Sequence, residues 1–321
     1  MKSLDQKIAN IRADPHGAKD FILADAKDAD MSAGLAAPGK NPATGKLRSL
    51  ADYREQMREV VKQGLVDIML MSASCGEVLL HERLFDQTHV TPAIRANDTT
   101  DIHFLAGGIY PKLPCKPFAS VTIDEIESIG ANLALYSVTP NNHLETDLTQ
   151  LLAYKDFRIE AQRKNLRHFL EIFDPNACEN NPADLGRFIN DFIARTLAGV
   201  PSKSRPLFFK MAYHGPRAME ELLNYDPSFI VGILGGSSGT THDAFHLLEQ
   251  AKKHGARAAL FGRKIKDSEH QLTFVTHLHA IANGNLTAAE AVRAYHGELE
   301  KSKIKSHRAL KDDLELTVKF E

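Results

Sequence analysis

Eight short apolar runs recur along the 321-residue chain, each ending in a polar or glycine-rich loop and followed by an amphipathic stretch. This alternation is typical of successive β/α units. The predicted strands are residues 21–27, 65–72, 90–97, 131–140, 169–175, 207–213, 229–235 and 258–262. Eight consecutive units without a strong linker favour a closed barrel over an open sheet. We therefore predict an α/β protein with a (β/α)8 TIM-barrel fold.

The helices after the fourth strand are indicated by their caps and endings. They are predicted at residues 151–167, 182–197, 240–254, 271–283 and 286–299. We predict a single domain over residues 1–321, with an N-terminal segment at 1–18 and a charged C-terminal tail at 301–321 that lies on the surface.

Charge and composition restrict the partners of the chain. Lysine and arginine total 39 and aspartate and glutamate total 41, so no overall basic field draws the protein to nucleic acid or to a membrane. The three cysteines have no metal-ligand spacing and suit a reducing compartment. No leader and no apolar run of ~18 residues is found. We expect a cytoplasmic protein whose partners are a small molecule and, in a homo-oligomer, copies of itself.

Lys210 is the one charged residue inside the apolar run of the predicted sixth strand, PLFFKMAY at 206–213. Burial disfavours the charged form of an amine, and a free amine is a nucleophile toward a carbonyl carbon. The simplest alternative places Lys210 at a strand end, where its ammonium group reaches solvent. The pattern thus indicates Schiff-base chemistry if the side chain faces a cavity.

Polar residues at strand ends are the other candidates, because the chemistry of TIM barrels lies at the C-terminal ends of the strands. Glycine loops follow the last two predicted strands, as GGSSG at 235–239 and as Gly262-Arg263. Barrels often bind phosphate at these two places through backbone N–H groups and a helix N-terminus. The two loops together therefore predict a phosphate site.

Four segments resemble successive strand ends of class I aldolases: FLEIFD at 169–174, LFFKMA at 207–212, ILGGS at 233–237 and ALFGR at 259–263. The relatives are the deoxyribose-phosphate, tagatose-bisphosphate and archaeal-type fructose-bisphosphate aldolases. A shorter match, LADAK at 23–27, lies on the first strand. Between these segments the similarity is one of pattern alone.

The resemblance implies a role for each matched residue. Lys210 takes the position of the Schiff-base lysine, Glu171 that of a fifth-strand acid and Asp25 that of a first-strand carboxylate. The residues that would hold the substrate phosphate are Gly235, Gly236, Ser237, Gly262 and Arg263. Lys27 and Arg95 are predicted to serve the same substrate site, where they can also pair with the carboxylates.

The expected function is that of an aldehyde-lyase, a class I aldolase that makes or breaks a carbon–carbon bond in a small phosphorylated sugar or keto compound. The imine would act as the electron sink, and no metal or cofactor is expected. The tagatose branch has a further lysine on its fourth strand, where this chain offers Tyr136 and Ser137. This difference leaves the substrate open.

Three alternatives come from other classes. His242 and His246, four residues apart on a predicted helix, can place two imidazoles on one face for a metal-assisted lyase or hydrolase. A barrel can also bind a sugar phosphate without catalysis, since the fold alone implies no reaction. A dinucleotide enzyme is disfavoured, because no Gly-x-Gly-x-x-Gly follows the first strand.

Overall fold

The predicted strands form a closed parallel barrel in a computed structural model, which describes residues 1–41, 44–236 and 239–318. They are β1 (Ile22–Lys27), β2 (Ile68–Met71), β3 (Thr91–Arg95), β4 (Leu133–Val138), β5 (Arg167–Ile172), β6 (Phe209–Met211), β7 (Val231–Leu234) and β8 (Ala258–Phe261). Each strand pairs with the next along the chain, and β8 pairs with β1. The prediction of a (β/α)8 barrel is confirmed.

Helices surround the barrel and occupy the connections between its strands. They are α1 (Ser3–Ala13), α2 (Asp30–Ala33), α3 (Leu50–Gln63), α4 (Ala73–His81), α5 (Ile123–Ser128), α6 (Leu144–Arg163), α7 (Leu185–Ala198), α8 (Gly215–Tyr225), α9 (Thr241–Lys253), α10 (Arg263–Lys266), α11 (Gln271–Ala282), α12 (Ala288–Lys301) and α13 (Leu310–Asp313). Within the described ranges, no helix has the length and apolar character that a bilayer crossing requires.

Helix α6 differs from its prediction at both ends. It begins at Leu144 rather than at 151, because the His143 side chain accepts from the backbone N–H of Thr146 and caps the helix. It ends at Arg163 rather than at 167, because β5 begins at Arg167. Terminal hydrogen bonds and strand pairing, rather than helix propensity, therefore set its limits.

Barrel strands bury both of their faces. In β1, Ile22 and Ala24 belong to the cluster inside the barrel, whereas Leu23 belongs to the cluster between the barrel and the helices. Side chains alternate between these faces along each strand. Because both faces are apolar, the sequence carries no polar alternation that identifies the inward residues.

Helix α1 closes the N-terminal end of the barrel. Its residues Leu4, Ile8 and Ile11 lie on one side of the helix and belong to the interior cluster. Lys7 on the same helix donates to the Phe21 carbonyl (2.7 Å) and to Asp67 Oδ2 (2.7 Å), at the beginnings of β1 and β2. The barrel thus opens toward the C-terminal ends of its strands.

An insertion follows β3 and lies over that open end. Two short strands, Asp98–Thr99 and Pro117–Phe118, pair antiparallel at its base. The Phe104 N–H donates to the Ser32 carbonyl (2.9 Å), which joins the insertion to the loop after β1. The insertion therefore forms part of the wall around the barrel mouth.

The C-terminal tail is anchored through buried aspartates, although most of its residues up to 318 are exposed. Asp313 is buried and accepts from the Thr241 N–H (2.8 Å) and from His296 Nε2 (2.9 Å). Asp243 accepts from the N–H groups of Thr317 and Val318. The tail is thus held against the beginning of α9.

Candidate active site

Lys210 and Glu171 face each other across neighbouring strands at the open end of the barrel. Glu171 on β5 is the register partner of Lys210 on β6. Each lies two residues beyond a phenylalanine of the interior cluster, Phe169 or Phe208, and therefore points inward. Lys210 Nζ lies 2.6 Å from Glu171 Oε1, and both side chains are buried. The structure brings these two predicted catalytic residues into an ion pair.

Arg95, at the end of β3, connects the remaining polar groups of the interior. Its Nη1 lies 2.9 Å from Asp28 Oδ2 and 3.4 Å from Glu171 Oε2. Its Nη2 donates to Ser137 Oγ (3.0 Å), and the Ser137 hydroxyl donates to Glu171 Oε2 (2.7 Å). Its Nε donates to the Asn97 carbonyl (2.9 Å). Arg95 thus orients carboxylates inside the protein and does not present a free cation to a phosphate.

The charge of Arg95 is maintained by its neighbours. Burial alone would lower the Arg95 pKa, but the Asp28 and Glu171 carboxylates raise it overall. The guanidinium group forms charge-assisted contacts with both carboxylates. The site therefore holds two carboxylates joined through one cation.

Asp25 and Lys27 lie on the opposite face of β1, away from this cluster. They form a buried pair with Lys27 Nζ 3.4 Å from Asp25 Oδ2. Lys27 also donates to Gln271 Oε1 (3.3 Å) on α11, outside the barrel. The side chain between them, Ala26, lines the barrel mouth instead. The structure does not bring Asp25 or Lys27 to the site.

Burial of Asp25 predicts an unusual dependence of stability on pH. Desolvation, opposed by the Lys27 charge, raises the Asp25 pKa to about 6, compared with about 3.9 when unfolded. The folded state then binds more protons between these values, so the free energy of unfolding falls as pH rises from about 4 to 6. In the natural chain we expect the free energy of unfolding to decrease by about 2 to 3 kcal/mol over that interval. In Asp25→Asn this decrease should be absent. Urea unfolding of both proteins between pH 4 and pH 7 measures this difference.

A matched control for this experiment is Glu300→Gln, which neutralises an exposed carboxylate on α12. Its unfolding free energy should run parallel to that of the natural chain across the same pH range. Curves for Asp25→Asn that also run parallel would contradict the buried, protonatable state of Asp25.

The first-strand carboxylate that reaches the cavity is Asp28 rather than Asp25. It follows β1 directly, contacts Arg95 and lines the cavity at the barrel mouth. Sequence reasoning also missed Ser137 and Lys266 as site residues. Ser137 lies two residues after Leu135 and four after Leu133 and so shares their face of β4, but only the structure shows that this face points into the barrel.

A cavity of about 210 Å³ lies above the Lys210–Glu171 pair. One side is formed by Gly235 and Gly236 after β7 and by Gly262 after β8. Two cationic side chains, Arg263 and Lys266, line the same side. Lys266 Nζ also lies 3.1 Å from the largely exposed Asp267 carboxylate. This side combines close backbone approach with positive charge.

At two positions on this side, steric limits explain why the residue is glycine. Gly236 has φ +61°, a conformation that L side chains rarely adopt. A Cβ on Gly262 would lie 2.6 Å from the Ala26 carbonyl oxygen. The predicted phosphate residues Gly235, Gly236, Gly262 and Arg263 thus line one cavity, and the fifth, Ser237, lies outside the described residues.

The N-terminus of α9 is already occupied by carboxylates of the protein. The Thr241 N–H donates to Asp313 Oδ1 (2.8 Å), and the Thr240 N–H donates to Asp243 Oδ2 (2.7 Å). An anion therefore cannot use these donors without displacing an aspartate. The cavity offers an anion the glycine loops, Arg263 and Lys266 instead.

Histidines do not form a metal centre at this mouth. His242 Nδ1 lies 2.7 Å from the Leu314 carbonyl of the tail, and His246 Nδ1 lies 3.5 Å from Glu249 Oε2. No group of three or more histidine, cysteine, aspartate or glutamate side chains suited to a metal ion is found among residues 1–41, 44–236 and 239–318. The geometry therefore gives no support to the metal-assisted alternative.

Solved structures of similar fold come from aldolases. An archaeal fructose 1,6-bisphosphate aldolase matches with a TM-score of 0.65 and 15% identity, covering 87% of this chain and 99% of that chain. An archaeal fructose-1,6-bisphosphate aldolase with its catalytic Lys covalently bound to the carbinolamine intermediate gives the same values, with 100% of that chain covered. A fructose-bisphosphate aldolase from Slackia heliotrinireducens has a TM-score of 0.68 and 14% identity, covering 92% of this chain and 91% of that chain.

These matches confirm the predicted resemblance to Schiff-base aldolases at the level of the fold. No protein-family model matches the chain, and no curated protein matches it in sequence. A barrel of this kind hosts many reactions. The reaction of this protein must therefore be argued from its own side chains.

Proposed function

We propose that the protein is a class I aldolase or closely related lyase that makes or breaks a carbon–carbon bond in a small phosphorylated carbonyl compound. The observation that carries this proposal is the buried Lys210–Glu171 pair, with Nζ and Oε1 2.6 Å apart, at the base of a cavity. A lysine beside a carboxylate in a cavity has both the nucleophile and the proton acceptor that imine formation needs.

Imine formation follows from this pair. Glu171 accepts a proton from the Lys210 ammonium group, and the free amine attacks the carbonyl carbon of the substrate. Glu171 then carries protons from the nitrogen to the former carbonyl oxygen, which leaves as water. Two protons leave with the oxygen, and the positive charge remains on the iminium nitrogen. Ser137 and Arg95 hold the other oxygen of Glu171 throughout.

Carbon–carbon cleavage also needs a base for the substrate hydroxyl, and in this proposal that base is Asp28. Its side chain lines the cavity, and its Oδ2 lies 2.9 Å from Nη1 of Arg95. Asp28 takes the proton of the substrate hydroxyl that becomes the aldehyde, while the electrons of the breaking bond move into the iminium. Protonation and hydrolysis of the resulting enamine release the second product and restore Lys210.

The anionic group of the substrate binds on the glycine-loop side of the cavity in this proposal. Gly236 and Gly262 allow close approach of the backbone, and Arg263 and Lys266 supply positive charge. This arrangement fixes the phosphate at one end and presents a carbonyl carbon to Lys210 on the neighbouring strand β6.

The proposal is tested by borohydride reduction with a carbonyl substrate and measurement of the intact mass. We expect a covalent adduct with dihydroxyacetone phosphate, or with unphosphorylated dihydroxyacetone or acetaldehyde, that peptide mapping assigns to Lys210. Undiminished trapping after treatment with a chelator would further support the lysine mechanism. The absence of an adduct with every one of these compounds would refute the proposal.

Replacing the two cations of the anion side should weaken binding of phosphorylated substrates selectively. Each of Arg263→Met and Lys266→Met removes a charge-assisted contact, so kcat/KM should fall about 10- to 100-fold. Turnover of an unphosphorylated analogue should change little, which separates phosphate binding from a general loss of structure. Lys253→Met, at an exposed position on α9, serves as the control. Equal losses for both kinds of substrate would place the phosphate elsewhere.

A further inference from the structure

The cationic side chains that line the cavity differ in whether they can bind an anionic ligand. In the described part of the chain, the cationic side chains that line it are Arg95, Lys210, Arg263 and Lys266. Arg95 contacts Asp28 and Glu171, and Lys210 contacts Glu171. The remaining two, Arg263 and Lys266, both follow β8 beside the glycine loop after β7. Charge for an anionic ligand is therefore concentrated on one side.

The opposite side has a different character. Strands β3 and β4 lie across the barrel from β7 and β8. The wall there is formed by Ile102 and Phe104 of the insertion and by Phe173 after β5. Ser32, whose carbonyl oxygen accepts from the Phe104 N–H, adds a hydroxyl group beside the insertion. We call these four side chains the far wall; they are uncharged, and Arg95, the charged residue at the end of β3 on this side, is already paired with carboxylates.

A second phosphate at the far wall would be poorly placed. It would lose solvation against aromatic and aliphatic side chains without gaining a counter-ion. The acidic side chains that line the cavity are Asp28 and Glu171, and their carboxylates already take up the charge of Arg95. Uncharged carbons and hydroxyl groups, in contrast, match this surface.

We propose that the substrate carries one phosphate group, held by the glycine loops with Arg263 and Lys266, and that its other end is uncharged. This inference rests on the proposed function, because it assigns the substrate class of the same site. It separates this protein from a bisphosphate aldolase, since the fragments released by cleavage cannot both be phosphorylated.

Condensation assays with matched pairs of carbonyl compounds test the inference. The single-phosphate pairs are dihydroxyacetone phosphate with glyceraldehyde, and dihydroxyacetone with glyceraldehyde 3-phosphate. The two-phosphate pair is dihydroxyacetone phosphate with glyceraldehyde 3-phosphate. We expect at least one single-phosphate pair to react with a kcat/KM about 100-fold above that of the two-phosphate pair. An equal or faster reaction of the two-phosphate pair would overturn the inference.

A variant can supply the missing charge. Phe104→Lys places an ammonium group at the far wall, and we expect it to raise the kcat/KM of the two-phosphate pair about 10-fold relative to that of the single-phosphate pairs. Leu105→Lys is the matched control, because Leu105 is the next residue, is similarly exposed and does not line the cavity. A gain no larger than that of the control would overturn the assignment of the far wall.

Failure of this inference can be distinguished from failure of the proposed function. Borohydride trapping needs one carbonyl compound and does not depend on the second fragment. An adduct at Lys210 together with preference for the two-phosphate pair would leave the aldolase proposal standing and refute the single-phosphate substrate. Absence of an adduct with every carbonyl compound would refute both.

Discussion

We expect Lys210→Met to abolish borohydride trapping and to lower carbon–carbon bond cleavage by about 10,000-fold or more, because the proposed mechanism takes its imine nitrogen from Lys210. Methionine retains much of the length of the lysine side chain in the buried interior, so the barrel should still fold. Intact-mass measurement after reduction detects the loss of trapping, and steady-state kinetics measures the loss of cleavage activity. Unfolding by urea checks that the variant remains folded.

Lys210→Arg provides the control for charge. The guanidinium keeps a cation beside Glu171 but offers no amine for imine formation. We expect the arginine variant to retain more stability than Lys210→Met and to be equally inactive. Recovery of activity in Lys210→Arg, or an adduct that persists in Lys210→Met, would show that the nucleophile is another residue.

Arg95→Met should destabilise the fold by about 3 to 5 kcal/mol, because it removes the cation that contacts Asp28 and that shares the buried Glu171 carboxylate with Lys210. Arg95 contacts Asp28 and Glu171 and also donates to Ser137 and the Asn97 carbonyl. Loss of these contacts releases both proposed proton acceptors from their positions. We therefore expect activity to fall with stability. Urea unfolding at pH 7 and cleavage kinetics at a temperature where the variant is folded measure the two effects.

Arg95→Lys separates charge from geometry. Lysine restores one positive charge but cannot make the forked contacts of a guanidinium. Its stability should lie between those of Arg95→Met and the natural chain, with activity still reduced. An Arg95→Met variant that is as stable and as active as the natural chain would contradict the role of Arg95 as the residue that positions Asp28 and Glu171.

Part of the candidate site could be predicted from local sequence. Lys210 and Glu171 lie within apolar runs that form strands, and a charged residue inside such a run must either reach solvent or have a buried partner. The glycine loops follow the last two runs directly. The C-terminal ends of the strands in a parallel barrel lie at one rim, so the fold type alone predicts that these residues lie near one another.

Local sequence could not predict whether each side chain of β1 points into the barrel or toward the helices. All six positions from Ile22 to Lys27 are apolar or charged side chains in a strand with two covered faces. Asp25 and Lys27 share one face and Ala24 and Ala26 share the other, but burial of both faces leaves no sign of which face points inward. The pairing of β1 with β2 and β8 decides that Ala26 faces the mouth and that Asp25 and Lys27 face the helices.

Contacts between segments that are distant in the chain also could not be predicted from local sequence. The insertion after β3 is attached to the loop after β1 through Phe104 and Ser32. The tail supplies Asp313 to the N-terminus of α9, more than seventy residues earlier in the chain. Loop closures of this length depend on the whole packed barrel, so neither contact leaves a periodic signal.

Hydrophobic periodicity by itself determined the succession of strands and helices, the barrel and the position of the lysine, because these follow from the burial of neighbouring residues. Tertiary structure alone decided which carboxylate reaches the cavity, how Arg95 orients it and which wall carries charge. The physical reason is that strand register and contacts between distant loops set the direction of each side chain. The free energy that selects this register and these contacts is distributed over the whole core.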